Sequence, residues 1–273
     1  MDKNSLILTL LSLKGWGSKK VYSYVDKYSF DYNMCREALT VELSDDEKEE
    51  FKIQLNASKQ KIKNNIINGI SCISILDDFF PRKLYTGTEK VVFLFYKGNI
   101  ELLLKPSITI VGTRKPTEDF INVGKKVSQL YSQKGYVLVS GLALGCDAIV
   151  HQSCVDINGL TIAVLPSPCD NPQPTSNKYL AQQILNKNGL LISEYGTGEE
   201  VSKYNFPRRD IIQSLLSNVL LVIQASNESG TMIAVKQSLR DKKQVFALKG
   251  NTIDLIKNYI SLEDASDLEQ YIE

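Results

Sequence analysis

Six near-continuous apolar runs follow one another from residue 108: ITIVG (108–112), YVLVSG (136–141), TIAVLP (161–166), LLISEY (190–195), VLLVIQA (219–225) and QVFALKG (244–250). They lack the strict apolar–polar alternation of a strand with one wet face, so they predict strands buried on both faces of a parallel sheet. Segments of helical length lie between them, and right-handed crossovers would then wind helices onto both sides of an open α/β sheet. Upstream the period changes. Residues 5–27 predict an apolar helix, a tight turn at Gly15-Trp16-Gly17 and a second helix carrying Val21, Tyr22 and Val25. A charged helix follows around 43–65, opening on Ser44 and an acidic first turn, the arrangement a helix dipole favours. The runs SCISIL (71–76) and KVVFLFYKG (90–98) are short and β-rich, and the tail from Asn251 is polar and acidic.

The expected fold class is therefore α/β: an extended Rossmann-like parallel sheet over residues 67–273, preceded by a small all-helical domain over 1–66. At 273 residues the chain has room for both. No apolar run approaches the roughly 20 residues of a membrane span, and the N-terminus has no secretory pattern. Five cysteines without a C-x-x-C pair suit reduced thiols, so a cytoplasmic location is expected, with no zinc site.

With 32 basic and 31 acidic residues the net charge is +1. An indiscriminate polyanion binder carries a clear basic excess, so any polyanion site here must be local. Three strand-to-helix loops have the residues for one, since ligands of such sheets gather at the carboxyl ends of the strands. In VGTRKP, Arg114 presents a fork of donors suited to phosphate. In SGLALGCDA, Ser140 offers a hydroxyl, Gly141 lets backbone approach closely, and amides at the following helix start are expected to face the ligand. In ESGTMIA, Ser229, Gly230 and Thr231 open a helix. A fourth segment, KYNFPRR, interleaves Lys203, Arg208 and Arg209 with Tyr204 and Phe206, a pattern that suits a single strand of nucleic acid.

Other chemistry finds little support. Neither G-x-G-x-x-G after a strand nor G-x-x-x-x-G-K-[ST] occurs, so no dinucleotide or P-loop cofactor is expected. His151 is the single imidazole and lies within a helix, where a structural role outweighs a triad role. Asp147 is expected to orient loop backbone, and Cys146 and Cys169 to pack. Gly15 and Gly17 offer amides to a phosphate, with Trp16 packing between helices as the competing reading.

The order of motifs resembles the DNA-processing protein A (DprA, or Smf) family. The matching pieces are VGTR (111–114), SGLALGCDAIVH (140–151), GLTIAVLPSPCD (159–170), SEYGTG (193–198), FPRRDIIQSLLS (206–217), SGTMIA (229–234) and VFALKG (245–250). The resemblance implies a non-enzymatic, dimeric protein that binds single-stranded DNA at Arg114, Ser140, Gly141, Phe206 and Arg209, with Lys203 and Arg208 as additions, and that assists loading of RecA recombinase in transformation or recombination. It also implies that the winged-helix domain some members carry at the C-terminus is missing here. Departures bear on the pocket: Leu144 replaces an arginine, Asp210-Ile211 an Asn-Arg pair, Gln224 a glutamate and Lys249 a proline. Two cations are lost and a carboxylate gained, so weaker binding with a shallower salt slope is expected unless Lys203, Arg208 and Lys249 compensate. The rival reading is a nucleotide-binding sensor, or a nucleotide-processing enzyme using Glu194 or Asp147.

Overall fold

A computed structural model describes residues 1–272. Four helices come first: α1 (Lys3–Ser12), α2 (Ser18–Lys27), α3 (Tyr32–Glu42) and α4 (Asp45–Ile67). The predicted start of the charged helix is seen as a capping box, with Ser44 and Glu47 each bonding the other's backbone amide. The helix α3 was not expected; its apolar positions are few, and Asp31 starts it by accepting from the Met34 amide.

Strands β1 (Ser71–Ser74) and β2 (Phe93–Gly98) then lead to β3 (Ser107–Val111), α5 (Glu118–Gln133), β4 (Val137–Ser140), α6 (Cys146–Asp156), β5 (Thr161–Val164), α7 (Lys178–Asn186), β6 (Leu190–Ser193), α8 (Asn205–Leu215), β7 (Val219–Val222), α9 (Met232–Arg240), β8 (Gln244–Leu248) and β9 (Asn258–Ile260). They form one nine-stranded sheet in the order β1-β2-β6-β5-β4-β3-β7-β8-β9. Pairing is parallel from β6 through to β9, while β2 joins β6 and β1 joins β2 antiparallel. All six predicted runs are strands of the parallel part. The tail adds β9, a strand that the polar reading of that segment missed because it has three residues and one of them buried.

Side chains of one strand alternate between faces, and the core divides accordingly. Ile108, Ile110, Leu138 and Leu221 pack with α5 and α6 on one face. Leu220, Val222, Val245 and Ala247 pack with α9 on the other, where Val137, Val139 and Ile162 meet Ile212 and Leu215 of α8. The second of these clusters runs on without a break through β1 and β2 into Leu6, Ile7 and Leu10 of α1, Val21 and Val25 of α2, and Phe51 of α4.

From β3 the chain steps to β4, β5 and β6 on one side, then returns to place β7, β8 and β9 on the other. The order reverses between β3 and β7, and a crevice is expected outside their carboxyl ends.

Candidate nucleic-acid interface

A pocket of about 350 Å³ opens where the order reverses. The three loops singled out in the sequence converge on it: Gly112, Thr113 and Arg114 after β3, Ala143 and Asp147 after β4, and Ser229, Gly230 and Thr231 after β7. From α8 come Arg209, Asp210 and Gln213. A slot of about 180 Å³ shares Arg114, Ala143 and Arg209 with it and adds Leu144, Pro174 and Phe206.

The loop after β4 is not open to a ligand in the way its glycines suggest. The Ala143 amide donates to Asp147 Oδ2 at 3.3 Å, and the Gly141 amide also favours the charged form of that carboxylate. The Leu142 amide donates to His151 Nε2 at 3.3 Å. These loop amides are turned onto the protein's own Asp147 and His151, and the first amide of α6, that of Cys146, donates to the Thr113 carbonyl at 3.0 Å. Asp147 thus orients the loop backbone, as expected. The expectation that Ser140 faces a phosphate is corrected: it is fully buried and its hydroxyl donates to the Ile110 carbonyl at 2.7 Å, tying β4 to β3. Gly141 does serve a close approach, but of Arg209, whose guanidinium a Cβ there would overlap.

His151 is fully buried. The Thr161 hydroxyl donates to the Leu138 carbonyl at 2.7 Å, so it accepts from Nδ1–H at 2.8 Å, and Nε2 is left to accept from Leu142. Burial, with the nearby Arg209 charge, pulls this imidazole down to about 3 and keeps it neutral. The ring holds Leu142 in a left-handed conformation, φ 57°, that costs a residue with a Cβ about 1–2 kcal/mol. Cys146 and Cys169 are buried, with thiols pushed up by burial.

Arg208 and Arg209 are adjacent in sequence and part ways on α8. Arg209 is 3% exposed, donates to the Gly141 carbonyl and to Asp147 Oδ2 (3.3 Å), and sets Nε 3.0 Å from Asp210 Oδ1. Arg208 is clamped by both oxygens of Glu194, at 2.6 and 2.7 Å, and donates to the Lys90 carbonyl. Neither offers a free guanidinium. Lys249, the other compensating cation considered, sits 3.3 Å from Asp264. Arg114 and Lys203 remain exposed, each with its cation over a ring: Arg114 at 5.7 Å from the centroid of Phe206, Lys203 at 5.3 Å from that of Tyr204.

The pocket therefore holds two arginines and two carboxylates. Asp210, standing where the family pattern has asparagine, is pushed up to about 6 by burial, with Asp147 adding to the effect and Arg209 and Arg114 opposing it. Gln213 Oε1 and Ser229 Oγ are buried in the lining without a hydrogen-bond partner among the described residues. Sequence reasoning missed Gln213 and Pro174 altogether. Gln224 is a departure with a visible use: its carbonyl accepts the Thr113 amide at 2.7 Å and its side chain the Thr117 amide at 2.8 Å, fixing both ends of the Arg114 loop.

Glycine at 145 is required on two counts. Its φ is +74°, and a Cβ would lie 2.5–2.6 Å from backbone atoms of Thr113 and Arg114. Gly145→Ala is expected to lower stability by about 2–4 kcal/mol, read as a shift of the urea midpoint; a loss below about 0.5 kcal/mol would show that the loop relaxes freely. The hairpin turn, by contrast, faces acid: the Lys14 amide donates to Glu50 and Trp16 Nε1 to Glu47, with Trp16 buried edge-on against Tyr24. It is packed against α4, with Trp16 buried between the helices.

The sequence model of the family described as DNA recombination-mediator protein A matches residues 71–258, from β1 to the first residue of β9. The chain belongs to that family. Its relatives include DNA processing protein DprA of Streptococcus pneumoniae, 36% identical over 181 residues that make up 66% of this chain and 64% of that protein. Protein Smf of Synechocystis sp. is 38% identical over 63% of this chain and 44% of its own length, and Protein Smf of Escherichia coli 32% identical over 63% and 46%. The matched part is thus less than two thirds of each relative's length. The X-ray structure of DprA from Streptococcus pneumoniae superposes with a TM-score of 0.74 at 26% identity, covering 99% of this chain and 95% of that one. DNA processing protein A of Helicobacter pylori, solved for its single-stranded DNA binding mode, shares the fold with a TM-score of 0.66 at 24% identity over 75% of this chain. FPRR (206–209) lies at the start of α8, with Phe206 lining the slot and Arg209 both slot and pocket.

Proposed function

We propose that this chain binds single-stranded DNA at the carboxyl edge of its sheet and acts as a non-catalytic recombination mediator. The observation that carries the reading is Arg114: an exposed guanidinium at the rim shared by pocket and slot, in contact with the Phe206 ring. Phosphate beside the cation and base against the ring is the pairing that single strands use. On this reading Lys203 and Tyr204, exposed just before Phe206 in the chain, add a further cation and ring, and Arg209 forms part of the lining. Family membership supports the finer reading of a cytoplasmic homodimer that passes DNA to RecA. The two carboxylates an enzyme would call on are both engaged, Glu194 by Arg208 and Asp147 by Arg209 and the loop amides.

Fluorescence anisotropy with a labelled oligothymidine of about 35 nucleotides tests this, a length that spans several single-strand sites. Salt-sensitive binding is expected, with Arg114→Ala about fivefold weaker at 0.1 M salt and its salt slope smaller by about 0.7, one phosphate's share. Absence of binding at low salt would reject the proposal. A second reading has one observation behind it: the unpartnered Gln213 and Ser229 oxygens would suit the edge of a nucleotide. A nucleotide that raises the melting temperature while oligothymidine does not would establish that reading instead.

A further inference from the structure

The opposite end of the sheet carries a second concentration of positive charge. Two hollows of about 370 and 390 Å³ lie at the amino ends of β3, β7 and β8 and share Lys83 and Asn218 as a common wall. Five basic residues line them, Arg82, Lys83, Lys105, Lys242 and Lys243, against one acid, Asp241. In a chain of net charge +1 that is a strong local excess. Among the described residues, none of the five is paired with a carboxylate oxygen within 4.0 Å. Asp241 is already engaged: Oδ1 accepts from the amide and hydroxyl of Thr88, and Oδ2 from Gln237.

The lysines divide by role. Lys243 is a fixed charge, its three donors given to the carbonyls of Ser214, Leu215 and Ser217 at the end of α8. Lys83 bonds one protein group, the Ser107 hydroxyl at 3.3 Å, which itself donates to the Leu216 carbonyl. Lys105 and Lys242 are exposed at the outer rims of the two hollows. Burial pulls Lys83 and Lys243 each down to about 8; for Lys243 the charge of Asp241 opposes the shift and that of Lys83 adds to it. The fold holds partly desolvated ammonium groups side by side, with Asp241 the one carboxylate among the lining residues.

We propose that this groove is a second phosphate site, with Lys83, Lys105 and Lys242 as its donors, for adjacent phosphate groups such as those of a nucleotide or of a nucleic-acid backbone. Lys243 supplies field from the floor. The site is independent of the Arg114 pocket, which lies at the other end of the same strands.

The test uses the whole protein, with Lys105→Gln/Lys242→Gln as the main variant because both side chains are exposed, and Lys83→Gln as the second. Calorimetric titration with pyrophosphate and with ATP at low salt is expected to show binding that the double variant weakens about tenfold and Arg114→Ala leaves unchanged. That result assigns the groove to free phosphate compounds. If neither compound binds, but the double variant lowers the salt slope of oligothymidine binding by about 1.4, the groove holds backbone phosphates. Pyrophosphate binding that Arg114→Ala abolishes and the lysine variants spare would place the anion in the other pocket and overturn the proposal. So would unchanged binding of all three ligands in both lysine variants.

Discussion

Arg209→Gln is expected to cost about 3–5 kcal/mol of folding free energy, the range for removing one partner of a buried ion pair. The substitution leaves Asp147 buried with loop hydrogen bonds but no counter-charge, and Asp210 beside it, two carboxylates that repel once the guanidinium between them is gone. It also leaves the Gly141 carbonyl without its donor. Urea unfolding gives the measurement, and the double variant Arg209→Gln/Asp147→Asn separates causes. If uncompensated charge dominates, the second change restores part of the loss; if the two changes add, packing does. A loss below about 1 kcal/mol would mean that the pair is as weak as an exposed one.

The second large effect concerns pH. Asp210 lines the pocket with a carboxyl raised to about 6, so at about pH 7.5 it is ionised and at about pH 5.5 largely neutral. An anionic ligand meets one negative charge fewer in the neutral state, so binding favours proton uptake and should tighten as pH falls through 6. The groups facing Asp210 are Arg209 on its own helix, Asp147 from α6 and Arg114 from the loop after β3. Burial raises the Asp147 carboxyl as well, so Asp210→Asn is the variant that tells the two apart. His151 is not the source, since it stays neutral down to about 3. Oligothymidine affinity is expected to rise about tenfold across that interval, more than the Arg114 effect because a half-buried charge is poorly screened. Asp210→Asn should bind at neutral pH as the wild type does at pH 5.5 and lose the dependence. A flat wild-type profile, or an unchanged one in the variant, would exclude Asp210 as the titrating group.

The apolar runs made the parallel sheet legible, and with it the meeting of three loops, because runs such as TIAVLP and VLLVIQA have no other comfortable place. The short β9 was not legible: Asn258-Tyr259-Ile260 has no periodicity to detect, and its strand state comes from pairing with β8. Within the site, Arg114 and Phe206 were readable because they follow a strand end and start a helix. The fate of Arg209 could have been read and was not. Asn205, Arg209, Ile212 and Leu216 fall at i, i+4, i+7 and i+11, the core stripe of α8, and all four are buried. What no pattern reveals is the destination of the loop amides after β4, since SGLALGCDA looks the same whether its donors await a phosphate or already hold Asp147.

That internal carboxylate has a thermodynamic corollary. A loop that satisfies its own amides and clamps its own left-handed residue is set before any ligand arrives, so association orders little protein. The entropy of the proposed complex is then lost mainly by the DNA, which must surrender its flexibility and any stacking of its own. A homopolymer of thymidine, loosely stacked in solution, gives up little; one of adenosine must first be unstacked. Selection among strands of equal length and charge would thus follow their stiffness, with no base edge being read.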